Sequence, residues 1–183
     1  TQEAEVRRLL NGAPPERIEL HHIPTNEPWC RDHGPIFVKR KKAPRVAAIN
    51  FGYNAWGWKH LPFDDDDDVP PQIGKLLGID VLDCSDFILE GGSIDVNGEG
   101  ALLTTESCLL NPNRNPDLAR EDIEKNLRDW LGVKKIIWRG DGIEGDDTDG
   151  HIDDITRFVG PNSVVTVVED DENDPNHDAL HAN

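Results

Sequence analysis

Three stretches of the chain repeat one arrangement of apolar and polar positions. In the first, Trp29-Cys30-Arg31-Asp32-His33-Gly34 leads into an apolar run over 35–38, a basic segment over 39–44 and a second run over 45–51. In the second, Phe87-Ile88-Leu89-Glu90-Gly91-Gly92-Ser93 leads into 94–96, the turn Asn97-Gly98-Glu99-Gly100 and ALLTT at 101–105. In the third, Thr148-Asp149-Gly150-His151 leads into 152–159, the turn Gly160-Pro161-Asn162 and SVVTVV at 163–168. Each stretch is an ionisable residue beside glycine, an apolar strand, a tight turn and a second strand. Asn-Gly between apolar runs is a strong hairpin signal.

A helix and a short strand are expected before each stretch. Residues 2–10 read as a helix, followed by a strand RIELHHI at 17–23. Pro70 to Leu77 reads as a short helix closed by Gly78, with a strand over 79–82. Asn115-Pro116 reads as the start of the clearest helix, because proline tolerates the first helical turn. Ile123, Leu127, Trp130 and Leu131 form its apolar stripe, Gly132 stops it, and a strand over 134–138 follows. The run Asp64–Asp68 reads as a solvated loop or an acidic lead-in to the next helix.

The unit is therefore helix, strand, charged loop and hairpin. Asp32 lies 58 residues before Glu90, and Glu90 lies 61 before His151. That period predicts α/β modules, roughly 1–63, 64–116 and 117–183, within a single domain. Modules set around an axis would each project one loop toward it. Asp32, Glu90 and His151 then become candidates for one shared site; three unrelated hairpins with polar turns remain the alternative.

Composition narrows the partners. The 183 residues carry 36 Asp+Glu against 19 Lys+Arg, a net charge of -17. A nucleic-acid partner is disfavoured, because phosphate binding needs a basic footprint. A cationic substrate fits the charge, as does solubility alone. No apolar run is long enough for a membrane span. Three Cys argue against a disulfide scaffold, and with no segment reading as a secretion signal they point to a cytoplasmic setting. The chain begins at Thr1 and contains no Met, which reads as a processed or partial chain. Assembly into a homo-oligomer is left open.

Carboxylates around a histidine could hold a divalent metal or grip a planar cation through paired N–H bonds. The spacing does not favour a metal. The loop 144–150 resembles a calcium loop, but an EF-hand with Gly150 at its sixth position would need an acid at Gly145 and Glu at Thr156. No Cys-x-x-Cys or His-Glu-x-x-His occurs. His151-x-Asp153 alone is a weak signal.

Four blocks, WCRDHGPIFV at 29–38, NFGYNAWG at 50–57, ILEGGSIDVNGEGALLTTESCLLNPNRNP at 88–116 and GDGIEGDDTDGHIDDITRFV at 140–159, resemble the agmatine deiminase family. That family is similar to the bacterial peptidylarginine deiminases and belongs to the pentein group. The resemblance implies a partial pentein-type α/β propeller, in which modules surround a central channel; family members are longer than this chain. It also implies hydrolysis of a guanidinium C–N bond through a Cys thiouronium adduct, with a small cationic guanidino substrate, agmatine first, and neither metal nor organic cofactor. By the same resemblance Asp32 and Asp153 bind the guanidinium, His151 is the general acid/base, and Glu90 orients or charges that His. Trp29 and Trp56 would wall the channel, although core packing is the commoner fate of such residues. Gly91, Gly92 and Gly150 read first as turn residues. The family's nucleophilic Cys, in a Gly-rich segment near its C-terminus, has no counterpart here. Cys108 reads as structural and Cys84 as buried. Cys30 would face the same side as Asp32 in an extended chain. The chain alone is expected to be inactive. A peptidylarginine deiminase and a non-catalytic cation-binding remnant are the competing readings.

Overall fold

A computed structural model describes residues 2–41 and 43–183. Part of the basic turn expected over 39–44 lies outside the described residues. The architecture is mixed α/β, with eight strands among the described residues in three small sheets. β1 (Ile36–Lys39) pairs antiparallel with β2 (Val46–Gly52), and β2 pairs parallel with β3 (Val81–Ile88). β4 (Asp95–Val96) pairs antiparallel with β5 (Ala101–Thr105), and β5 pairs parallel with β6 (Lys135–Arg139). β7 (Thr156–Gly160) and β8 (Ser163–Thr166) form the third sheet.

Each three-stranded sheet thus joins a hairpin to the strand that follows the next helix. This rule explains the one expected strand that does not form. Residues 18–23 are not part of any strand, and no hairpin precedes them among the described residues to offer a partner. It also explains why the strand expected over 79–82 extends to Ile88: a long parallel partner is available in β2.

The two longest helices are set by their ends and apolar faces. Val69–Leu77 stops at Gly78, whose φ of 63° is left-handed, a conformation glycine adopts without steric cost. Arg120–Leu131 starts later than Asn115-Pro116 suggests. Asn115 is occupied elsewhere: its side chain accepts from Ile88 N–H at 3.0 Å and donates to Ile88 C=O at 2.9 Å. The helix instead begins where Asp122 accepts the Ala119 N–H at 3.1 Å. Ile123 and Leu127 are fully buried against Ile49, Phe87, Leu102 and Leu109, with Trp130 and Leu131 partly buried on the same core. Among the described residues no helix is long and apolar enough to cross a membrane.

The acidic run is not a solvated loop. Asp64–Asp67 forms a helical turn in which Asp66 is completely buried. Its carboxylate accepts the N–H of Asn26 at 2.8 Å and of Glu27 at 3.1 Å, while Asn26 Oδ1 accepts the Asp65 N–H at 3.0 Å. His33 Nε2 lies 3.6 Å from the same carboxylate. This clasp anchors the segment that carries Trp29 and Asp32. Replacing Asp66 by Ala strands these buried donors, and a loss of about 3 kcal/mol of stability is expected. Urea unfolding checks it; a change under about 1 kcal/mol would mean that water replaces the carboxylate freely.

Candidate active site

Three tight turns bring their charged residues to one place. Asp32 sits in the helical turn Cys30–His33, Glu90 directly precedes the turn Gly91–Ser93, and His151 and Asp153 flank the start of the turn Ile152–Asp154. Asp95 ties the second unit to the third by accepting the Phe158 N–H at 2.6 Å, with Arg157 Nε at 3.3 Å. Thr105 Oγ1 donates to Gly150 C=O at 2.5 Å.

Gly92 is the meeting point. Its N–H donates to Asp32 Oδ1 at 2.9 Å. A β-carbon placed on it would stand 2.5 Å from His151 Nδ1, 2.6 Å from Asp32 Oδ1 and 3.1 Å from Asp153 Oδ1. On Gly91 it would stand 2.0 Å from Arg31 C=O. These two glycines are therefore required by close approach of neighbouring groups, and Gly150 is required twice over, by its left-handed φ of 96° and by Ser107 Oγ, which a β-carbon there would meet at 2.3 Å.

His151 Nδ1 lies 3.7 Å from Asp32 and 3.9 Å from Asp153. The three groups border a cavity of about 400 Å³, also lined by Glu27, Trp29, Arg31, Trp56, His60 and Asp154. Burial raises Asp32 to about 6, against the stabilising hydrogen bonds from Gly92 and Trp56. Burial, then the nearby charge of Asp32, also raises Asp153. Burial and the positive charge of Arg114 push His151 down to about 4, which keeps it neutral near pH 7. Among the described residues neither Asp32 nor Asp153 forms an ion pair with Lys or Arg.

The two tryptophans differ. Trp29 is 60% exposed at the cavity wall. Trp56 is buried in an aromatic cluster with Tyr53 and reaches Asp32 Oδ2 through its indole N–H at 3.1 Å. Its backbone is left-handed, as are those of Ala55, Gly57 and Trp58, a run that costs energy for residues with a side chain. Asn54 and Asn113 hold the run: Asn54 Oδ1 accepts the Gly57 N–H at 2.9 Å and Asn54 Nδ2 donates to Asn113 C=O at 2.8 Å.

Glu90 is completely buried. Burial raises its carboxyl, and the Arg114 guanidinium, bonded to Oε1 at 2.6 Å, opposes that rise. Sequence reasoning did not find Arg114, Asn113, Asp149 or Asp146. The available signal was a single charge in the otherwise uncharged stretch 108–116, which implies a buried partner. Asp146 organises the loop once compared with a calcium site: its carboxylate accepts the N–H groups of Thr148, Gly150 and His151. Glu90, Cys108 and His151 present ligand atoms within 4.8 Å of one another, the one such group of His, Cys, Asp or Glu among the described residues, but the Arg114 cation on Glu90 opposes a second positive charge.

The thiols divide by exposure. Cys84 and Cys108 are buried, and burial raises Cys84 to about 11 and Cys108 well above its ordinary value. Cys30 is exposed.

Because Gly92 has no room for a side chain, Gly92→Ala is expected to keep the fold but displace Asp32 and His151, so that any affinity for the guanidinium compounds the resemblance implies falls at least about tenfold. Titration calorimetry with agmatine checks this; unchanged affinity would place the ligand elsewhere.

Comparison with known proteins places this geometry. The family model for Porphyromonas-type peptidyl-arginine deiminase matches residues 1–183. The chain is 43% identical over 164 residues to the agmatine deiminase of Pseudomonas aeruginosa, covering 87% of this chain and 44% of that protein. It is 42% identical over 171 residues to the agmatine deiminase of Ectopseudomonas mendocina, covering 91% of this chain and 46% of that protein. The solved agmatine deiminase of Enterococcus faecalis superposes with a TM-score of 0.89 at 39% identity, covering 99% of this chain and 49% of the other. A C. jejuni agmatine deiminase with substrate bound gives 0.86 at 35% identity, covering 98% and 53%. The chain spans about half the length of these relatives. It belongs to the Porphyromonas-type peptidyl-arginine deiminase family.

Proposed function

We propose that the whole protein hydrolyses a guanidino compound, agmatine in the first place, to a ureido product and ammonia. The observation that carries this reading is the pair Asp32 and Asp153, two partly desolvated carboxylates on one cavity beside a neutral histidine, with no Lys or Arg paired to either among the described residues. Such a pair suits a planar cation that offers N–H groups on two edges. The relatives named agmatine deiminases support the substrate.

In the proposed chemistry, Asp32 and Asp153 hold the guanidinium and localise its charge. His151 takes the proton of the nucleophilic thiol; the thiolate attacks the central carbon, and the C–N bond breaks as ammonia leaves with the proton that His151 passes on. Water, deprotonated by His151, then attacks the thiouronium carbon; the C–S bond breaks and the ureido product departs. Glu90 orients His151. Cys84 and Cys108 are too buried to act as the nucleophile, and we assign that role to a cysteine of the whole protein outside these 183 residues. Trp29 and Trp56 wall the substrate, Trp56 also by fixing Asp32. The repeated hairpin units are read as modules of a propeller around the axis on which the cavity lies. No metal or organic cofactor takes part.

The test is ammonia release from agmatine in the presence of EDTA. The whole protein is expected to turn over agmatine in preference to peptidyl-arginine, and the 183-residue chain is expected to show no activity above background. Loss of activity on chelation, or turnover by the short chain that Cys30→Ser abolishes, would contradict the mechanism.

A further inference from the structure

Arg114 has no exposed side-chain surface, and its donors are consumed in several directions. Nε bonds Glu90 Oε1 at 2.6 Å. Nη1 bonds Asn113 Oδ1 and Asp149 Oδ2, both at 2.7 Å, and Nη2 bonds Thr148 C=O at 2.9 Å. Its inner end thus grips the carboxylate beside the histidine. Its outer end grips the loop two and three residues before that histidine. Asp149 itself is left-handed, with φ 67°, and is held by Lys59 Nζ at 2.6 Å and Asn113 Nδ2 at 2.9 Å as well as by Arg114.

Two buried polar atoms nearby have no partner: Glu90 Oε2 and His151 Nε2. Their side chains approach within the 4.8 Å cluster. Buried polar groups are seldom left unpaired, and one N–H from Nε2 to Oε2 satisfies both. Nε2 then carries the proton of the neutral ring, and Nδ1, the nitrogen facing Asp32 and Asp153, is left with its lone pair toward the cavity.

We propose that Arg114 is a positioning residue: by fixing Oε1 of Glu90 it turns Oε2 toward His151 Nε2 and so selects the ring tautomer whose Nδ1 is free to accept a proton from the cavity side. The proposal rests on the roles given above to Glu90 and His151. Asp149 and Asn113 set the distance between the two by holding Arg114 to the histidine loop. A lysine carries the same charge but not the planar fork that spans Glu90 and Asp149 together.

Nitrogen-15 NMR of the His151 ring in the 183-residue chain reads the tautomer directly. In the unaltered chain the neutral ring is expected with its proton on Nε2. In Arg114→Lys it is expected to become a mixture of both tautomers, and Asp149→Asn is expected to move it partway. In the whole protein Arg114→Lys is expected to lower kcat about a hundredfold while KM changes less than about threefold. An Nδ1–H ring in the unaltered chain, or an unchanged tautomer in folded Arg114→Lys, overturns the proposal. If Arg114→Lys does not fold, Asp149→Asn decides, and an unchanged tautomer there overturns it equally. The NMR result does not depend on turnover, so a whole protein that fails to act on any guanidino compound would overturn the functional reading while leaving this inference to stand or fall on the tautomer.

Discussion

Asp32, Asp153 and Glu90 are carboxylates withdrawn from water within a few ångströms of one histidine, and among the described residues only Glu90 of the three is ion-paired to a guanidinium. Taking an anion out of water is costly unless it is paired or takes up a proton. The fold meets that cost in two ways. Arg114 compensates Glu90, and backbone and indole N–H groups partly compensate Asp32. What remains uncompensated is expressed as raised carboxyl pKa values and a depressed histidine. A cation between Asp32 and Asp153 would compensate both carboxylates at once, while its charge would hold His151 neutral.

The rest of the structure holds that arrangement together. The core of Ile123, Leu127, Leu102 and Ile49 fixes the strands from which the turns spring. Gly91 and Gly92 let the turns meet without a side chain between them. Asp66 pins the first turn from outside, and the Arg114–Asp149 group pins the third from behind. Each pin is a buried polar group whose partners lie far away in sequence.

This separation decides what the sequence could reveal. The hairpins and helices were legible because their signals are local: Asn97-Gly98 for a turn, the 123, 127, 130, 131 stripe for a helix face, Gly78 and Gly132 for its end. The recurrence of charged residues beside glycine pointed to Asp32, Glu90 and His151, and the resemblance added Asp153. The strand expected at 17–23 failed because strands need a partner, which local sequence does not supply. Asp66 was hidden in a run of five identical residues, of which Asp64, Asp65 and Asp68 are exposed and Asp67 is half-buried. Arg114 and Asp149 lie within the blocks that carry the resemblance, but their roles are not legible locally, since Arg114 meets Glu90 and Asp149 across 24 and 35 residues of chain.

The most direct measurement is the proton balance when agmatine binds the 183-residue chain, taken by calorimetry at pH 6 in buffers of different ionisation enthalpy. Asp32, raised to about 6, is about half protonated there, whereas His151, lowered to about 4, is already neutral. A guanidinium seated between Asp32 and Asp153 favours their ionised forms, so binding should release about half a proton or more. Binding without proton release, or with net uptake, would contradict the placement of the cation between these carboxylates.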